Sequence, residues 1–268
     1  MAVLKGSALP KGKELKGGSR NVKLETLQSG YTPAKRRLEI ATIAVFSLLW
    51  IAAFWNTFTA QGVDNQLSIT LFAFVVSLFV GDFLAGFVHW FCDTWGSPET
   101  PVIGVIIRSF REHHIDPKAM TYHDFIEVSG DSCIIPIPFL AAAAMWRNQD
   151  LFQVELFLLH CTLWVTAVVM MTNQVHKWAH LGERARPTVV TYLQKFNILL
   201  TPSMHSQHHR PPFDKDYCIF NGWMNPILRP IDFWKRTERI ITKVTGVIPR
   251  ADDADWTERF EVEEAKRK

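Results

Sequence analysis

The sequence predicts an all-α membrane protein: about four transmembrane helices with a histidine-rich cap on their cytosolic side. Three observations lead there. Four apolar segments occupy the middle of the chain. When each of them crosses the bilayer, 28 of the 29 Lys and Arg residues fall on one side. Nine of the ten histidines then fall on that same side.

The first apolar segment is Leu38 to Phe58, "LEIATIAVFSLLWIAAFWNTF". The second is Leu67 to Trp90 and the fourth Leu151 to Gln174. Each is long enough to cross ~30 Å of hydrocarbon at about 1.5 Å per residue. The third, Cys133 to Trp146, is shorter and carries Pro136 and Pro138, so alone it is compatible with a re-entrant or buried piece. The charges decide how it is counted. With four crossings, Lys and Arg number 9 in residues 1–37, 3 between segments two and three, and 16 after segment four, leaving only Arg147 outside. That is the positive-inside pattern. A fourth segment crossing without the third would strand 16 cations outside, so the two cross together or neither does.

Residues 1–37 are Lys- and Gly-rich and read as a flexible basic tail. Residues 38–250 form the transmembrane domain and 251–268 a charged C-terminal tail. The late start of the first apolar run argues against a cleavable signal peptide. Four cysteines without a CxxC pair argue against disulfides or a thiolate zinc site and fit a reducing compartment. No nucleic-acid partner is expected.

His89 ends segment two; His113, His114 and His123 lie in the following loop; His176 and His180 follow segment four; His205, His208 and His209 lie beyond. Only His160 sits inside a span. Spacing of i,i+4 in His176/His180 and i,i+3,i+4 in the triplet gives one helix face each. Thr201 and Pro202 are suited to start the triplet's helix, and Pro211 and Pro212 to stop it. Nine imidazoles exceed one metal, since a zinc site takes about four ligands. Two metals sharing eight or nine nitrogens fit the count. Imidazole suits iron, copper, nickel and zinc, and a dinuclear iron centre that activates dioxygen beside a lipid is the reading adopted. Asp82, Gly86, His89 and Asp93 make a polar stripe on segment two. Asp82 and Asp93 are expected to orient imidazoles rather than bind metal directly. Asn173, three residues before His176, is expected to do likewise or to hold a water. Arg186–Leu200 and the stretch from Pro226 to Val244 read as interfacial helices.

The stretches "GFVHWFCDTWGSPE", "FREHHIDPKAMTYHDFIEVSGD", "NQVHKWAH", "HSQHHRPPFDKDYCIFNGWMNP" and "TGVIPRADDADW" together resemble the plasmanylethanolamine desaturase family, over roughly residues 75–256. The resemblance implies a desaturase of the endoplasmic reticulum membrane with both termini cytosolic. It implies a diiron centre held by His89, His113, His114, His123, His176, His180, His205, His208 and His209, with Asp93 matching the family's HWxxD. The implied reaction uses O2 to place a 1′,2′ double bond in a 1-O-alkyl ether phospholipid, giving a vinyl ether. Electrons are then expected from cytochrome b5 and an NAD(P)H-dependent reductase. Asp93 and Asn173 are the candidate catalytic residues beside the metals; Arg111, Lys177 and Arg210 are candidates for the lipid phosphate. A plastid branch that desaturates phosphatidylglycerol shares the histidine pattern; "PRADDADW" and the tail favour the ether-lipid branch. A lipid hydroxylase, a zinc-dependent lipid hydrolase and a metal carrier remain as alternative readings.

Overall fold

The computed structural model describes residues 31–60, 65–97, 100–101, 103–115, 117–146, 152–210 and 212–251. The side chain of Arg111, residues 1–30 of the basic tail and residues 252–268 of the C-terminal tail lie outside the described residues. Among the described residues there are ten α-helices and three 3₁₀ turns, with no strand.

Helix α1, Pro33–Phe58, starts five residues before the apolar run. Thr32 caps it, accepting from the Lys35 amide at 3.2 Å, and Pro33 occupies its first turn. Helix α2, Gln66–Thr94, and the later Gln153–His180 are the other two helices long and apolar enough to span. Their outward faces are bare apolar side chains: Leu48 is 69% exposed, Leu67 71% and Leu158 57%. A helix that leaves such residues uncovered fits hydrocarbon as its solvent.

Helix α3 is Gly104–Ile115. The third segment is longer than its apolar run suggested. It begins with α4, Phe125–Ser129, continues through a 3₁₀ turn at Asp131–Cys133, and ends as α5, Ile137–Met145. The halves meet at a 65° bend. Pro136 sits at that break, where a missing N–H and a fixed φ disfavour a straight helix. At its start, Arg36 grips Asp124 with both guanidinium arms at 2.7 and 2.5 Å, and Lys35 pairs with Asp131. At its end, Asn56 donates to the Ala144 carbonyl at 2.5 Å. The bent segment therefore runs along α1 and, counted as one piece, is a candidate fourth span.

Helix α6 is Gln153–His180 and α2 packs along it. Gly81 makes this possible: a Cβ there would lie 2.5 Å from Val168 Cγ1. Small residues at a helix contact are what membranes favour, because packing rather than hydrophobicity joins helices in lipid. Trp50 donates to the Leu163 carbonyl at 3.0 Å, locking α1 to α6. His160 bonds Thr70 across α6 and α2 at 2.9 Å, near Phe58.

Beyond α6 come α7 (Thr188–Lys195), α8 (Pro202–His208), α9 (Asn225–Leu228) and α10 (Phe233–Thr245). Apolar side chains stay exposed on and just past α7 and α10, for example Tyr192 at 59% and Val244 at 79%. The opposite faces are buried: Val190 packs with Val175, Leu199 and Ile219, and Trp234 with Trp90 and Tyr217. The N-terminus of α1, the C-termini of α2 and α6, and helices α3, α7 and α8 thus share one end of the bundle.

Candidate metal centre

Eight histidines meet at that end. They fall into two groups whose candidate ligand atoms lie within 4.8 Å of one another. His113, His176, His180, His205 and His209 form the first; His89, Asp93, His114 and His208 the second. Neighbours in sequence part company here. His113 and His114 on α3, and His208 and His209 at the end of α8, go to different groups. Adjacent residues on a helix point about 100° apart, so one short helix serves two sites.

In the first group the Nε2 atoms crowd together. His176 to His205 is 2.7 Å, His205 to His180 and to His209 2.8 Å, His113 to His209 2.9 Å and His176 to His180 3.2 Å. One ring cannot be hydrogen-bonded to all of these at once, because a neutral imidazole has one donor and one acceptor. A metal resolves the conflict. With metal–nitrogen bonds of about 2.05 Å, neighbouring ligands of an octahedral ion sit roughly 2.9 Å apart.

In the second group Asp93 Oδ2 lies 3.1 Å from His89 Nε2, 3.4 Å from His114 Nε2 and 3.5 Å from His208 Nε2. Asp93 and His89 are each 1% exposed, yet His89 Nε2 and both Asp93 oxygens have no hydrogen-bond partner. Buried polar atoms left without partners and aimed at one point are what a metal site presents. The donors are oxygen and imidazole nitrogen throughout, a set that fits iron and makes thiolate-seeking metals poor candidates. Asp93 Oδ2 therefore lies among the candidate ligand atoms of the second group.

The backbone sets the tautomers. His89 Nδ1 donates to the Tyr217 carbonyl at 3.0 Å and His208 Nδ1 to the Lys215 carbonyl at 2.9 Å, so both Nε2 lone pairs face inward. Burial holds His113, His205 and His208 well below the usual imidazole range, with crowding by neighbouring rings adding to it. They are neutral at pH 7, the form that binds metal. Thr201 caps α8 as its sequence suggested, accepting from the Met204 amide at 3.1 Å.

Asp82 does not orient an imidazole. Its Oδ1 accepts from the backbone amides of Phe220, Asn221 and Gly222 at 3.0, 3.1 and 3.2 Å, and its Oδ2 from Met224 at 3.1 Å. It anchors the loop that carries Tyr217. Gly86 lets that loop approach: a Cβ there would lie 2.5 Å from Cys218 Sγ and 3.0 Å from Cys218 backbone. Sequence reasoning missed Tyr217, whose ring packs on His89 and His208. It also missed Arg250, whose side chain bonds Glu238 at 2.6 Å and whose amide donates to the Thr94 carbonyl at 2.8 Å, and which so lies tied to the end of α2.

A cavity of about 450 Å³ opens against His89, His113 and His176. Ala85, Val88, Ile135 and Val169 line its apolar part. His123 lines it too and belongs to neither metal group; its Nδ1 is 3.6 Å from Glu127. Asn173 also faces the cavity and donates to Ser132 Oγ at 3.0 Å. Of the three cations proposed for phosphate, Lys177 donates to the His123 carbonyl at 2.5 Å, Arg210 is exposed, and the Arg111 side chain is not described. The described cations that line the cavity are Lys35 and Arg108, neither singled out from sequence.

Comparison with known proteins agrees with this site. A lipid desaturase domain matches residues 78–252. Plasmanylethanolamine desaturase of Myxococcus xanthus is 39% identical over 91% of this chain and 85% of its own length. Plasmanylethanolamine desaturase 1 of Mus musculus is 39% identical over 91% of this chain and 90% of its own. Fatty acid desaturase 4, chloroplastic, of Arabidopsis thaliana is 27% identical over 80% and 68%. No solved structure matches. With its two histidine groups at the end of a helical membrane bundle, the chain belongs to the lipid desaturase family, on the side of the plasmanylethanolamine desaturases.

Proposed function

We propose that this lipid desaturase acts on a 1-O-alkyl ether phospholipid and places the 1′,2′ double bond beside the ether oxygen. Two irons would be held by the eight clustered histidines and Asp93. When bound, they would let dioxygen take one hydrogen from each of two adjacent carbons, two further electrons and two protons arriving so that the oxygen ends as two waters. Cytochrome b5 and its NAD(P)H-dependent reductase are the proposed electron source, and the endoplasmic reticulum membrane, with both termini cytosolic, the proposed setting. The concentration of Lys and Arg on the metal-bearing side supports that orientation.

One observation carries the regiochemistry. Asn173 is one helical turn, about 5 Å, before His176. It bonds Ser132, the neighbour of Asp131, which pairs with Lys35. The charged pair is thus tied, through Ser132, to the helix that carries His176. A bond next to glycerol requires the head-group end to lie close to the metals, and Lys35, Arg108 and His176 line one cavity. The remaining alkyl chain fits along Ala85, Ile135 and Val169.

The protein's own work is positioning. Tyr217 and Lys215 carbonyls hold the His89 and His208 rings in register. Asp93 would set a negative charge beside a bound metal. Val88, Phe91 and Ile219 line the cavity and would hold the reacting carbons in a dry apolar setting. The 39% identity to two plasmanylethanolamine desaturases, against 27% to the chloroplast enzyme, supports the ether lipid over phosphatidylglycerol. Lipidomics of cells lacking the protein tests the reading: vinyl-ether lipids should vanish and their alkyl precursors accumulate. Unchanged vinyl-ether content would defeat it.

A further inference from the structure

Resting on that reading, we propose that Glu127 is the head-group reader of the cavity: its carboxylate receives the primary ammonium of an ethanolamine lipid. The polar end of the cavity holds Tyr31, Lys35, Glu39, His123, Glu127 and Asp131. Most of this charge is already matched. Lys35 pairs with Asp131 and lies 3.5 Å from Glu39. Tyr31 donates to the other Glu39 oxygen at 2.6 Å. Among the described residues Glu127 has no Lys or Arg within ion-pair distance. Its neighbour is the His123 ring at 3.6 Å, and its side chain keeps 25% of its exposure.

A carboxylate in a largely apolar cavity without a cation attracts one. An ammonium with three N–H donors suits it, both as a charge and as a hydrogen-bond donor. The phosphate next to that ammonium would find Arg108 on the same cavity wall. Phosphatidylglycerol brings the phosphate without the ammonium, and a choline head brings the charge without N–H donors. The same geometry gives His123 a place: it borders the head-group carboxylate and stands outside both metal groups.

The test uses the whole protein in vesicles holding equal amounts of the 1-O-alkyl ethanolamine and 1-O-alkyl choline lipids, with the ratio of vinyl-ether products as readout. That ratio does not depend on the fraction of protein that folds. Loss of a charge-assisted hydrogen bond should lower the ethanolamine preference by about 10-fold or more in Glu127→Gln, with bound metal unchanged. An unchanged ratio, or a variant that keeps its metal and consumes neither lipid, would overturn the proposal. A second measurement uses the wild-type protein alone. Adding one, two and three methyl groups to the head-group nitrogen should lower kcat/KM stepwise as N–H donors disappear, and a flat series would overturn the proposal. Wild-type protein that makes vinyl ether from neither lipid would instead reject the ether-lipid reading of the site.

Discussion

Asp93→Asn separates a metal-binding carboxylate from an orienting one. In the wild-type chain Asp93 Oδ2 faces three Nε2 atoms at 3.1, 3.4 and 3.5 Å, in a pocket where Asp93 is 1% exposed. The amide keeps the shape and one acceptor oxygen but loses the negative charge. Removing one partner from a buried charge pair typically costs about 3–5 kcal/mol, which at 1.4 kcal/mol per decade is a loss of metal affinity of roughly two to three and a half decades. The effect should be local to the second group, since none of the five histidines of the first is among the Asp93 contacts. Protein purified in detergent should therefore carry about one metal instead of two by elemental analysis, and turnover should fall at least 100-fold. Asp93→Ala should behave the same way. Full metal content with turnover within a few-fold of wild type would refute the assignment of Asp93 to the ligand shell.

The loop anchor should matter for folding. Asp82→Ala strands four backbone amides, so thermal unfolding in detergent should show a loss of about 3 kcal/mol or more; unchanged melting would contradict that role. Gly86→Val forces the Cys218 backbone away and with it the Tyr217 carbonyl that holds His89, so metal content should drop while the helical circular dichroism signal stays. His160→Ala removes one bond to Thr70, worth about 1 kcal/mol, and lies some 24 Å along α6 from His176; it should retain both metals and most activity by elemental analysis and product assay. His123→Ala should also retain both metals, and loss of one of them would place His123 in a ligand shell.

Much of this architecture was legible before any coordinates. Apolar length is a one-dimensional property, so three spans were read directly, and the i,i+4 histidines announced their faces because helical periodicity fixes them. The cationic bias tied the third segment's crossing to that of the fourth. Its true start at Phe125 was hidden because Asp124, Glu127 and Asp131 look like a surface loop until α1 supplies Arg36 and Lys35. Asp82 was misread for a similar reason: its partners are backbone amides some 140 residues away, and backbone amides carry no sequence signature. The division of eight histidines into two sites depends on how α2, α3, α6 and α8 converge, and no spacing within one helix encodes that. The phosphate candidates were chosen for nearness in sequence to histidines, whereas the cavity draws its described cations from α1 and the middle of α3.

The most direct test of the central claim is a single reconstitution. Purified protein loaded with iron is given dioxygen, an electron donor and a 1-O-alkyl phosphatidylethanolamine in vesicles, and the product is read by mass spectrometry and acid treatment. The expected product is lighter by two hydrogens and releases a long-chain aldehyde in acid, as a vinyl ether does. A product heavier by one oxygen, or turnover that persists with zinc in place of iron, would contradict the account.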